Sequence, residues 1–120
     1  MAFKFEKLEV WHLSIDLAHE MILLANRFPS EYRYSLADQI RRAAVSIPTN
    51  IAEGTGRETP NNQANFYRIA KGSAYEVVSL LVLAEKCGLI DQADYQTHYN
   101  TANKISAMLN GLIKTNQSTR

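Results

Sequence analysis

The sequence predicts an all-α protein, an antiparallel up-down-up-down four-helix bundle whose second helix is kinked at Pro48. Three observations predict it. Apolar residues recur at spacings of three and four along four separate stretches, which is the mark of one helical face. No stretch alternates with period two for long enough to argue a strand. Proline and glycine, the two strongest helix breakers, number only three and five in 120 residues, so long windows contain neither.

The first helix is expected over residues 8–28. Leu8, Trp11, Ile15, Ala18, Ile22 and Ala25 form one apolar stripe, and Val10, Leu17, Met21, Leu24 and Phe28 form a second beside it. Together they make a wider apolar face than one helix–helix seam needs. One stripe can face the bundle and the other a neighbouring molecule. Pro29 pushes Phe28 out of helical geometry and ends the helix. Residues 29–35 read as a loop.

A second helix is expected over residues 36–52, with Leu36, Ile40, Ala44, Ile47 and Ile51 as its inner stripe. Pro48 removes one backbone bond inside it, which predicts a kink rather than a stop. Thr59 as N-cap and Pro60 at the first helical position start a third helix over residues 60–87, with Gly88 closing it. Its inner stripe reads Phe66, Ala70, Ser73, Val77, Leu80 with Leu81, and Ala84. Gly72 and Ser73 weaken propensity but permit close approach of a neighbour. Asp91 caps a fourth helix over residues 92–114, with Tyr95, His98, Ala102, Ile105, Leu109 and Leu112 facing inward and a frayed polar tail after it. Short connections make consecutive helices antiparallel neighbours in one domain spanning residues 1–120.

Composition narrows the function classes. Hydrophobic residues at 46% and charged residues at 21% suit a globular domain that buries a core. Thirteen Lys and Arg against twelve Asp and Glu leave +1, which excludes a polybasic binder. The single cysteine, Cys87, excludes a disulfide framework and a cysteine-rich zinc site. The first residues lack the apolar core and cleavage site of a leader, and the most apolar stretch, residues 77–84, is too short to span a bilayer. The expected location is the cytoplasm.

Few residues carry chemistry. A di-iron bundle needs a Glu from each of two helices and Glu-x-x-His from the other two. Glu9 with His12 supplies that motif once and Asp16 with His19 imitates it, both on the first helix, and the fourth helix offers no interior carboxylate beyond its first turn. The favoured reading of these four residues is a solvated face. The alternative is a surface or interface metal site through His12–Asp16 or Asp16–His19. His98 is expected to be a hydrogen-bonded core or interface side chain. Cys87 sits at the negative end of a helix dipole, which disfavours a thiolate. No nucleophile elbow, phosphate-binding loop or zincin signature occurs, so neither a catalytic residue nor a cofactor is assigned.

Residues 54–57, GTGR, admit two readings: a plain inter-helix turn, which is favoured, or an anion cradle before a helix N-terminus. The basic candidates for nucleic acid are Arg41 and Arg42 on the second helix, Arg57 in the loop, and Arg68 and Lys71 on the third helix with Tyr75 on the same face. Tyr67 or Tyr75 would be available for stacking. The competing reading is a solvated face in which Asp38 pairs with Arg42.

Residues 39–57 read QIRRAAVSIPTNIAEGTGR, and this stretch resembles the four-helix bundle proteins encoded in intervening sequences of bacterial 23S rRNA genes. FEKLEVW at 5–11, IAKGS at 69–73 and MLNGLI at 108–113 look like the same family. The resemblance implies a cytosolic bacterial protein without enzyme activity. It also implies a homopentameric ring, because family members and the related accessory protein of diversity-generating retroelements form such rings. The retroelement protein binds a reverse transcriptase and nucleic acid, so RNA, DNA or a reverse-transcriptase-like protein is the partner class implied. Arg41, Arg42 and Arg57 carry over as binding residues. The chain departs at Thr55, where the family more often has a bulkier residue, and at AYEVV in 74–78, which replaces a more Glu-rich stretch. The reading is a non-enzymatic homo-oligomeric assembly or nucleoprotein accessory. The alternative is a metal- or small-molecule-binding enzyme in bundle form.

Overall fold

The computed structural model describes residues 2–118. Among these residues there are four α-helices and no strand: α1 (Glu9–Asn26), α2 (Asp38–Thr55), α3 (Pro60–Lys86) and α4 (Gln92–Ser118). Each packs antiparallel on the next, and α4 returns against α1 to close a bundle 47 × 23 × 22 Å. A short 3₁₀ arm, Lys4–Lys7, precedes α1.

Local chemistry explains the ends. The Thr59 hydroxyl accepts from the Asn62 N–H at 3.2 Å, and Pro60 follows it. The Asp91 carboxylate accepts from the Asp94 N–H at 2.8 Å. Gly88, at φ +74°, ends α3 in left-handed geometry. There the Leu89 N–H donates to the Ala84 carbonyl and the Gly88 N–H to the Glu85 carbonyl, at 2.9 and 3.0 Å, which is the Schellman arrangement. α4 extends past the expected residue 114 to Ser118. Its last turns are tied down, since the Asn116 amide donates to the Pro60 carbonyl at 3.3 Å and to Gln63 at 3.2 Å.

Residues 29–35 are not an irregular loop. A 3₁₀ turn over Ser30–Tyr32 runs into a π-turn over Arg33–Ala37, and that runs into α2. Leu36 and Ala37 are buried in this wider turn, so the core begins before regular helix does. α1 correspondingly stops at Asn26, with Phe28 buried beyond its end. Pro48 is buried in mid-α2 and the helix continues through it. A proline there cannot donate to the Ala44 carbonyl, but the surrounding bonds and packing carry the helix on.

The core is built from Leu17, Met21, Ile40, Ile47, Ile51, Leu81, Ile105 and Leu109, all fully enclosed. The expected inner stripe of α2 is buried throughout. Two expectations for α3 need correction. Phe66 is only half-buried, and Tyr67 fills the core position instead. Gly72 is exposed, with open space around the place a Cβ would occupy. The close approach of helices lies elsewhere. Gly54 in α2 is buried, and a Cβ there would meet Tyr67 Cε1 at 2.8 Å and Phe66 Cβ at 3.1 Å. Ser73 does make a close contact, donating to the Ser46 hydroxyl at 2.7 Å across α2 and α3.

Candidate functional site

The two stripes of α1 separate in the folded chain. Val10, Leu17, Met21 and Leu24 point into the core. Trp11, Ile15 and Ile22 point sideways over α2, where Val45, Pro48 and Ala52 meet them. The result is an open groove of about 410 Å³ with an almost wholly apolar lining. His19 and Thr49 are its only polar side chains. Ile15 and Val45 are 40% and 41% exposed, so the groove wall lies open in the single chain.

The amino-terminal arm closes one end. Phe5 packs on Trp11 with ring centroids 4.8 Å apart, and Phe3 stacks on Phe5 at 5.6 Å. His12 Nε2 lies 2.7 Å from the Glu6 carbonyl, and the Phe3 N–H donates to the Glu6 carboxylate at 3.1 Å. These bonds fix the arm as an extension of the groove. From Trp11 to Ile22 the groove runs about 16 Å, or three helical turns. Sequence reasoning found the α1 half through its doubled stripe. It missed Val45, Thr49 and Ala52, because α2 shows only one strong stripe and the groove wall falls on its flank.

The basic candidates are distributed along the molecule. Arg41 donates to the Asn26 side chain at 2.9 Å and lies 4.0 Å from Asp38, and Arg42 pairs with Asp38 at 3.4 Å. Arg57 pairs with Glu53 at 3.0 Å and lies over the Phe66 ring at 4.5 Å. Some 20 Å of helix separates this group from Arg41 and Arg42. Arg68 donates to Asn65 at 3.1 Å, and the Lys71 ammonium lies 5.6 Å from the Tyr75 ring centre. The fold thus brings Arg68, Lys71 and Tyr75 together, and leaves Arg41, Arg42 and Arg57 at two other places. Tyr67 is buried and cannot stack on a ligand, whereas Tyr75 is 62% exposed.

Residues 54–57 form the end of α2 and a turn. Gly54 spends its missing side chain on Tyr67 and not on an anion. The four acid and imidazole groups of α1 turn to different neighbours. Glu9 reaches Lys104 of α4 at 3.9 Å, His12 is held by the arm, and His19 borders the apolar groove. Asp16 lines a polar groove between α1 and α4 with Glu20, Arg27, Asp94 and His98. His98 is therefore half-buried at a groove edge and makes no core hydrogen bond, because the buried stripe of α4 starts one turn later at Ala102. Cys87 is exposed at the end of α3. Among the described residues, no three His, Cys, Asp or Glu side chains are grouped to hold a metal ion, and no helix is long and apolar enough to cross a membrane.

A sequence model described as 23S rRNA-intervening sequence protein matches residues 6–111. The chain belongs to this family. A crystal structure of a family relative bears on the same fold: a protein of unknown function from the S23 ribosomal protein family of Bacteroides thetaiotaomicron VPI-5482. It superposes with a TM-score of 0.82 at 25% identity, covering 88% of this chain and 98% of that one. None of the curated proteins matches. The 23S rRNA-intervening sequence protein match takes in the arm from Glu6, both walls of the apolar groove and the α2–α3 turn, and ends near the carboxyl end of α4.

Proposed function

We propose that this chain is a non-catalytic subunit that assembles with copies of itself, the α1–α2 groove of one copy being covered by another. The observation that carries the reading is the groove: three turns long, walled by Trp11, Ile15, Ile22 and Val45, and extended by the fixed aromatic arm. Aromatic and aliphatic surface of this kind gains by leaving water, and an uncharged lining pays no desolvation cost for a buried ion. Its walls suit a packed apolar side chain rather than a polar substrate. A closed ring is the expected product, with five copies the count implied by the family resemblance.

Light scattering after size exclusion, at micromolar concentration, tests this. The wild-type chain is expected to elute as an oligomer. Ile15→Glu combined with Val45→Glu should yield a folded monomer, since both side chains are already partly exposed and a charge there opposes only the covered state. A wild-type monomer would defeat the reading.

A further inference from the structure

The carboxylates of this chain are unevenly placed. None lies between Glu58 and Glu76, and none follows Asp94. Those two stretches are the first half of α3 and nearly all of α4, which pack on each other. A chain with a net charge of +1 therefore has one flank free of acidic side chains over most of its length. That flank carries Arg68, Lys71 and Lys114, while Lys104 turns toward Glu9. Arg41, Arg42 and Arg57, by contrast, each have a carboxylate within 4.0 Å.

The same flank exposes rings and amides. Tyr75 of α3 and Tyr99 of α4 line a shallow groove of about 240 Å³ together with Asn103 and Ser106. Tyr75 and Tyr99 are 62% and 39% exposed, and Lys71 lies against the Tyr75 ring. Arg68, Lys71 and Tyr75 follow one another at spacings of three and four, so they share a helical face. Unopposed cations that track a backbone, beside aromatic faces on which bases stack, are the components of a single-strand site. Amide and hydroxyl groups between them can reach sugars and base edges.

We propose that the α3–α4 flank binds single-stranded nucleic acid, with Arg68 and Lys71 on phosphates and Tyr75 and Tyr99 stacking bases. This goes beyond self-assembly and does not require it, since the flank and the α1–α2 groove share no residue. An acidic peptide would use the cations but not the rings, and that difference separates the two ligands.

The experiment is fluorescence anisotropy with labelled oligouridylate and oligothymidylate of about 20 nucleotides at several salt concentrations, with polyglutamate as competitor. Binding should weaken with salt, and Arg68→Ala with Lys71→Ala should reduce the salt slope by roughly 1.4, about 0.7 for each lost phosphate contact. Tyr75→Ala should weaken binding roughly tenfold by removing a stacking face. Arg41→Ala with Arg42→Ala should bind as the wild type does. All these side chains are exposed or at the surface, and circular dichroism confirms that the variants fold. Absent binding at low salt overturns the proposal. So does competition by polyglutamate equal to that of unlabelled oligouridylate, or a loss in the Arg41/Arg42 variant that matches the Arg68/Lys71 one. Light scattering on the same samples reports self-assembly separately.

Discussion

Gly54 and Gly72 both sit inside helices, yet they bear different loads. Gly54 lets α2 approach the Tyr67 ring, where a methyl group would fall 2.8 Å from Cε1. Gly54→Ala should destabilise the fold by about 1–3 kcal/mol through overpacking. Gly72 faces open space, so Gly72→Ala should stabilise by roughly 0.5–1 kcal/mol through helix propensity. Opposite shifts of the denaturation midpoint check the pair. Tyr67 also sets an alkaline limit. Burial pushes its hydroxyl above the ordinary value of 10.0. The folded chain then holds this proton more tightly than the unfolded chain. Its contribution to stability is whole below the unfolded value and is lost as pH rises through the folded one. Tyr67→Phe should flatten the fall in unfolding free energy as pH rises past 10.0. Tyr32 leaves a residual slope, being raised chiefly by neighbouring Cys87, with burial and Glu31 adding to it.

At the scale of elements, the ends of α3 and α4 were legible because capping is local chemistry. Thr59, Pro60, Gly88 and Asp91 act within four residues of themselves, and each does what its type predicts. Thr59→Ala should cost about 1 kcal/mol by orphaning the Asn62 N–H, measurable by urea denaturation. The π-turn before α2 was not legible. It depends on Leu36 and Ala37 being drawn into the core, a long-range demand that no local residue signals. The continuity of α2 through Pro48 was expected from the apolar stripe on both sides of it, and the fold supplies the reason. Proline weakens the helix locally, while burial of Ile47, Pro48 and Ile51 holds it from outside.

At the scale of the whole molecule, the bundle has sides of different character. The α1–α2 side is apolar, the α1–α4 side holds Asp16, Glu20, Arg27, Asp94 and His98, and the α3–α4 side is free of carboxylates over most of its length. A molecule that covers its apolar side by association gains stability by mass action. The melting temperature of the wild-type chain should therefore rise with protein concentration, and that of the Ile15→Glu, Val45→Glu variant should not. Calorimetry over a hundredfold concentration range checks this, and a flat wild-type profile would argue against association.

The order of the four helices and the inner stripe of α2 follow from periodicity and capping, because both depend on residues a few positions apart. The doubled stripe of α1 already carries the information that this helix has two apolar faces. Which stripe takes the core is decided by packing. Met21 and Leu17 are enclosed in the core, while Ile15 and Ile22 are left beside the flank of α2. The same holds for the charges. The run of acid-free sequence can be read off the chain, but it becomes a surface only when α3 and α4 lie side by side. Pairing of residues some 25 to 55 positions apart, as in Ser46 with Ser73 or Gln63 with Asn116, is set by close packing among helices, and no local preference encodes it.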